Sequence, residues 1–301
     1  MTDEKSMDQK PTGNVRIGIS GWTYPPWRGV FYPADLPQKR ELSYSSRLLT
    51  SIEINGTFYS LQSPKSFLRW RDETPEDFVF AVKATQYITH TRRLREVEIP
   101  LANFFASGLL ALGPKLGPIL WQFPPTFKFQ PELLEAFFKL LPRTTQEAAD
   151  LASGCDVWLR GRAFLGPVEP GPVRHAMEAR HASFACEEFI ALLRKYGVAL
   201  VCADTPKWPR LMDVTADFVY CRLHGAEELY ASGYDAEALD DWTKRVVAWA
   251  SGGEVEGEHA SPAMAPRLPW RDVFVYFDND AKVRAPVDAQ GLIARVKRLL
   301  D

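Results

Sequence analysis

The sequence predicts an α/β fold: a single TIM-type (β/α)8 barrel of parallel strands, with an inserted helix-loop segment before strand 5. Three observations predict it. Short apolar runs rich in β-branched and aromatic residues recur along the chain, as strands buried on both faces do. Stretches of helical spacing separate most of these runs. The runs also end repeatedly in charged or amide side chains, which is what a barrel with a site in its mouth requires.

The elements follow in order. Residues 1–14 are polar and read as a disordered tail without a secretory signal, which leaves 15–301 for the barrel domain. The first strand spans 15–20, and a helix is expected over 40–49. The second strand, 51–55, delivers Glu53 and Asn55; a short helix over 67–72 leads to the third, 78–84, which delivers Lys83. Apolar residues at 101, 104, 105, 109 and 112 predict one helix over 101–112, stopped by Gly113 and Pro114. The fourth strand, 118–123, carries Gln122 and precedes a helix over 131–141.

Residues 143–172 form the insertion, a helix over 145–152 and a Gly/Pro-rich loop. The fifth strand, 173–181, delivers Glu178, Arg180 and His181. Ser183 then reads as the N-cap of a helix that ends at Gly197. The sixth strand ends in Asp204, and the seventh, 217–225, delivers Arg222 and His224. A helix over 235–250 follows, then a Gly-, Glu- and Pro-rich stretch, 251–270, expected to be loose. The eighth strand, 273–280, ends in Asp278, Asn279 and Asp280, and a helix over 286–300 closes the chain. Both irregular stretches follow helices and precede strands, so they belong on the face opposite the site.

Composition narrows the classes. The chain has 301 residues, 46% hydrophobic and 25% charged, with a net charge of -2. No global field draws it to nucleic acid or an anionic membrane, so any anion site must be local. Cys155, Cys186, Cys202 and Cys221 are spread singly, which reads as a reducing, cytoplasmic protein rather than a disulfide framework. No apolar run is long enough to cross a bilayer, and no protein partner is implied.

Strand parity selects the candidate site. Glu53 and Asn55 share a face, as do Glu178 and Arg180, and Arg222 and His224. Charges pack expensively against apolar helices, so these sets are assigned to the lumen or its upper rim, with Asp204 as a third acid. The catalytic candidates are Glu53, Lys83, Glu178 and His224. The ligand-binding candidates are Asn55, Tyr59, His90, Arg92, Gln122, Arg180, His181, Asp204, Arg222 and Asn279. The segment 87–95, with His90 and three arginines, follows strand 3 and reads as an anion clamp. Aromatic residues (Trp22, Tyr24, Trp27, Phe58, Tyr59, Phe123, Tyr230) crowd the same end, as stacking surfaces or as packing caps.

Glu53, Glu178, Asp204, His181 and His224 include donor types for Mg, Mn or Zn, but no H-x-x-x-H, H-x-E or C-x-x-C spacing accompanies them. Cations in the same mouth compete for the carboxylates, so a divalent metal is not favoured and no cofactor is named. Nucleotide-binding glycine loops and the G-x-S-x-G elbow are absent.

Several linked motifs resemble the DUF72 (YecE-like) family, from about residue 15 to 299. They are Ile17-Gly18-Ile19-Ser20-Gly21-Trp22, Ile52-Glu53-Ile54-Asn55-Gly56-Thr57-Phe58-Tyr59, Phe80-Ala81-Val82-Lys83 and Thr89-His90. The later ones are Leu120-Trp121-Gln122-Phe123-Pro124-Pro125, Glu178-Ala179-Arg180-His181, Arg222-Leu223-His224-Gly225 and Tyr276-Phe277-Asp278-Asn279-Asp280. The resemblance implies a TIM-type barrel, broadly similar to the endonuclease IV and xylose isomerase barrels, and supplies no established activity. Asp278 departs from the family's usual Phe-Asn-Asn, adding charge that could alter ligand preference or pair with an arginine.

Three functions are therefore expected to compete. The first is an enzyme or binding protein for a small anionic, hydroxyl-rich ligand, working by general acid/base chemistry as a hydrolase, lyase or isomerase if it is catalytic. The second is nucleic-acid binding or processing, by fold analogy. The third is a non-catalytic ligand sensor whose charges form a structural ion-pair network.

Overall fold

A computed structural model describes residues 12–225 and 233–300. Eight parallel strands close into one barrel, each bonded to the next and the last to the first. They are β1 Val15–Ser20, β2 Ser51–Ile54, β3 Val79–Lys83, β4 Leu116–Gln122, β5 His175–Glu178, β6 Ala199–Asp204, β7 Phe218–Leu223 and β8 Asp272–Phe277. Between them run α1 Glu41–Ser45, α2 Gly56–Tyr59, α3 Pro64–Glu73, α4 Glu98–Ala106 and α5 Pro131–Leu140. Then come α6 Thr145–Ser153, α7 Val157–Arg160, α8 Glu187–Tyr196, α9 Ala236–Ala250 and α10 Arg284–Leu300. The expected barrel and its insertion before β5 are both present.

Side-chain alternation splits the interior in two. One parity of each strand packs outward under the helices: α5, for example, buries Leu134, Phe137 and Phe138 there. Each such side chain contributes about 1.5–3 kcal/mol. The other parity fills the lumen with a separate cluster that includes Ala81, Leu120, Ala176, Val201, Phe218 and Phe274. Small residues on β3, β5 and β6 make room for the large rings of β7 and β8. The lumen is packed, not open.

Several boundaries differ from the sequence expectation. The helix expected over 101–112 is broken at Gly108, whose φ of 120° and approach to Pro64 (Cα 2.6 Å from where a Cβ would sit) suit only glycine. Ser183 does not cap α8; it lies in a short 3-10 turn, Ala182–Phe184, and Cys186 takes the N-cap position. Gly197 does end α8, left-handed at φ 58°, and Asp235 caps α9 through the Ala238 amide at 2.8 Å.

The stretch 251–270, expected to be loose, is pinned. Buried Arg271 donates to the carbonyls of Gly252, Gly253 and Pro266 at 2.6, 3.0 and 2.5 Å, and Asp213 accepts from the amides of Ala260 and Ser261. Residues 1–11 of the expected tail lie outside the described residues. Gly13 and Asn14 are bonded to Ala250 and Asp272, so the ordered chain reaches further than a boundary at 14. Among the described residues the four cysteines are free thiols, and no helix is long and apolar enough to cross a membrane.

Candidate functional site

The lumen parity that places Ala81, Ala176 and Tyr220 inside delivers a polar layer two residues later on each strand. Lys83 ends β3, Glu178 ends β5 and Arg222 is near the end of β7. Ser20 and Glu53 are register partners on β1 and β2, and Gln122 and Glu178 on β4 and β5. This layer caps the apolar plug at the C-terminal end of the barrel.

Arg222 is its hub. The fully buried guanidinium grips Glu53 with two hydrogen bonds, Nη2 to Oε1 at 3.0 Å and Nε to Oε2 at 3.1 Å. Nη1 reaches Glu178 Oε2 at 2.7 Å, and Nη2 also reaches Asp278 Oδ2 at 2.9 Å. Glu53 further accepts from Tyr220 at 2.6 Å and Ser20 at 3.0 Å. Glu178 accepts from Arg180 Nε at 2.5 Å and Gln122 Nε2 at 3.2 Å. Burial alone would raise the Glu178 and Asp278 carboxyls. Arg180 and Arg222 hold Glu178 well below the usual range instead, and Arg222 with His224 does the same for Asp278. His224 Nδ1 lies 3.0 Å from Asp278 Oδ2.

Lys83 is placed differently. It is 7% exposed, its Nζ sits 4.4 Å above the Phe58 ring, and that amine makes no hydrogen bond or ion pair among the described residues, while the Lys83 carbonyl accepts from the Thr57 hydroxyl at 2.6 Å. Desolvation and then Arg222 push its amine down to about 8, against the pull of Glu53, Asp278 and Glu178. His90 packs edge-on against Phe58, with ring centroids 5.1 Å apart. Burial, then Arg180, Lys83 and Arg93, lower it to about 4, so it is neutral at pH 7. Arg180 lies over Trp208 at 4.2 Å, and its two Nη groups make no hydrogen bond among the described residues.

Over residues 16–300 the chain matches the sequence model of the family described as Protein of unknown function DUF72. It belongs to the DUF72 family. YecE of Escherichia coli K12 is 31% identical over 113 residues, 38% of this chain and 39% of that protein. YunF of Bacillus subtilis is 33% identical over 126 residues, 39% of this chain and 43% of that protein. The chain thus aligns with about two fifths of these relatives' length. The crystal structure of a DUF72 protein from Thermotoga maritima superimposes with a TM-score of 0.72 at 25% identity, over 94% of this chain and 99% of that one. A DUF72 protein from Enterococcus faecalis, 17% identical, gives 0.64 over 94% and 95%, a likeness of fold alone.

This DUF72 barrel brings together Glu53, Lys83, Gln122, Glu178, Arg180, Arg222, His224 and His90, and separates the other candidates from them. Asp204 was expected in the lumen, but Val201 and Ala203 hold the lumen parity of β6, so Asp204 faces outward. There it accepts from Arg210 at 2.8 Å, Tyr234 at 3.0 Å and Trp242 at 3.3 Å. Asn279 is out of phase with Asp278 in the same way, and donates to Asp288 at 2.8 Å on α10. His181 folds back onto Ser183, Nδ1 to Oγ at 2.9 Å. Tyr59 is 72% exposed on the rim. Asn55, at the start of α2, lines a cavity of about 270 Å³ with Trp22 and Tyr24, beside the mouth.

The arginines of 87–95 do not converge as a clamp. Arg92 pairs with Glu96, and Arg93 donates to Thr126 O at 3.0 Å and lies over Phe127. Tyr230, named among the rim aromatics, lies outside the described residues. Strand parity also puts Ser20 and Tyr220, absent from the candidates, on the lumen face with the charged residues. Asp278, outside the candidate set but expected either to alter ligand preference or to pair with an arginine, pairs with Arg222 and is the third acid of the layer. Among the described residues no group of three or more His, Cys, Asp or Glu side chains is arranged to hold a metal ion.

Proposed function

We propose that the mouth of this barrel binds a small anionic, hydroxyl-rich ligand, with Lys83 and Arg180 holding its carboxylate or phosphate. One observation carries the reading. The acids of the layer are satisfied by guanidinium, amide and hydroxyl donors, while the Lys83 amine, set over the Phe58 ring, has no hydrogen-bond or ion-pair acceptor among the described residues. A largely desolvated ammonium without a protein acceptor is costly, and an incoming anion relieves that cost. His90, lowered first by burial and then by Arg180, Lys83 and Arg93, supports a cationic β3–β5 side of the mouth, where Arg180 keeps its Nη groups for a second contact.

If the site is catalytic, the chemistry falls to groups able to exchange protons near neutrality. Lys83 is such a group, while Glu178 stays ionised and serves as fixed negative charge. His224, tied to Asp278, is positioned to pass protons, and neutral His90 to orient a ligand hydroxyl. Titration calorimetry with inorganic phosphate and with citrate tests the binding claim. The expected result is measurable affinity for at least one of them, reduced about tenfold or more in Lys83→Met and in Arg180→Gln. Equal affinity in the variants, or no binding by the native protein, removes the reading.

A further inference from the structure

We propose that Lys83 is a covalent nucleophile, which forms an imine with a small aldehyde or ketone whose carboxylate or phosphate group rests on Arg180. The inference rests on the anion-binding reading above and narrows its ligand to carbonyl compounds. The geometry separates this lysine from an ordinary structural one. A lysine buried for stability directs its ammonium at acceptors, as Lys115 does toward the carbonyls of Arg71 and Thr74 at 2.6 and 2.9 Å. Lys83 is as buried, yet its Nζ lies over an aromatic face and takes no acceptor among the described residues. It stands at the C-terminal end of a barrel strand, where reacting groups of this architecture sit.

The charged groups that act on the amine come from every side of the mouth: Glu53 on β2, Glu178 on β5, Arg222 on β7 and Asp278 after β8. His90, in the turn after β3, feels Lys83 in return and is neutral at pH 7. Burial and Arg222 together leave about a tenth of the amine neutral at pH 7, a desolvated lysine beside a guanidinium being a recognised way to activate an amine.

The step balances without a further reactant. The neutral Nζ attacks the carbonyl carbon, a C–N bond forms, and the carbonyl electron pair moves onto oxygen. Both amine protons then pass to that oxygen, which leaves as water as the C=N bond forms. Protonation of the imine restores the positive charge, and Glu53, Glu178 and Asp278 supply a fixed counter-field for it. The carboxylates therefore do not have to change protonation at any point.

The test is reductive trapping on the native protein with cyanoborohydride, using glyoxylate in one arm and glycolaldehyde phosphate in the other, read by peptide mass mapping. Lys83 is expected to be modified about tenfold or more faster than exposed Lys39 at pH 7, and the faster arm identifies the preferred anionic group. Excess inorganic phosphate should slow labelling of Lys83 and leave Lys39 unchanged. Lys83→Arg, which cannot form the imine, should lose the label at position 83, and a trapped adduct of the same yield elsewhere in that variant overturns the assignment to Lys83. Labelling of Lys83 no faster than Lys39 in both arms overturns the imine. Phosphate binding that is intact and sensitive to Arg180→Gln would then leave the anion site standing, while loss of both results removes the two readings together.

Discussion

Arg222 Nη2 and Asp278 Oδ2 lie 2.9 Å apart at the top of the lumen, and the same carboxylate oxygen is 3.0 Å from His224 Nδ1. Asp278 thus adds a third acid to the hub arginine, beside Glu53 and Glu178. An amide at this position still accepts a hydrogen bond but carries no charge. Asp278→Asn is expected to cost about 1–3 kcal/mol in urea unfolding, because the buried Arg222 guanidinium loses one of its ionised acceptors. With one negative charge fewer, phosphate binding should tighten several-fold. Weaker phosphate binding in this variant would contradict the electrostatic account of the mouth.

Acid should unfold the protein through the same layer. Glu178 and Asp278 are held below their ordinary range by Arg180, Arg222 and His224. Below about pH 4.5 the unfolded chain therefore binds protons that the folded state refuses, and stability falls as pH falls. Each such group contributes a slope of about 1.4 kcal/mol per pH unit in that window. Urea midpoints measured from pH 6 down to pH 3 should drop steeply, and Asp278→Asn should flatten the curve by about one group's share. Identical slopes in native and variant protein would mean that Asp278 is not held ionised.

Asp204 offers a control from outside the mouth. It accepts from Arg210, Tyr234 and Trp242 on the outer side of β6. Asp204→Asn should destabilise by about 1–3 kcal/mol, because buried donors lose a charged acceptor. Phosphate affinity and Lys83 labelling should be unchanged. A variant that folds normally but loses phosphate would restore Asp204 to the site.

The fold and the centre of the site were legible because a period of two is a strong signal: Glu53, Lys83, Glu178 and Arg222 all follow from strand parity. The errors came at strand ends. Asp204 and Asn279 end or follow their strands out of phase with Ala203 and Asp278, and position alone did not reveal the phase. Asp204 could have been placed by counting back through Ala203 and Val201, both small or apolar enough for the lumen. The arginine cluster misled for a different reason: Arg93, Leu94 and Glu96 all have positive φ, so the loop turns its side chains apart in ways spacing cannot encode. Gly108 broke a helical pattern because Pro64 packs against it, a long-range contact with no local signature.

Lys83 gives the sharpest division between a site and a structural network. Its amine titrates near 8 in the folded protein, against an ordinary value of 10.5. Between those values the unfolded chain binds the proton more tightly, so native stability rises with pH across the window, and below pH 8 the full cost of holding the ammonium is present. At about 1.4 kcal/mol per pH unit that cost approaches about 3 kcal/mol. Removing the amine while keeping its apolar stem should therefore stabilise the protein, less about 0.5–2 kcal/mol for the lost contact with Phe58. Lys83→Met is expected to unfold at higher urea than the native protein at pH 7, with the gap closing toward pH 10.5. A residue kept at a cost to stability, and needed for ligand binding, is what a functional site leaves behind. If Lys83→Met is instead less stable at pH 7 and binds phosphate as before, the amine belongs to the scaffold and the ion-pair layer is structural.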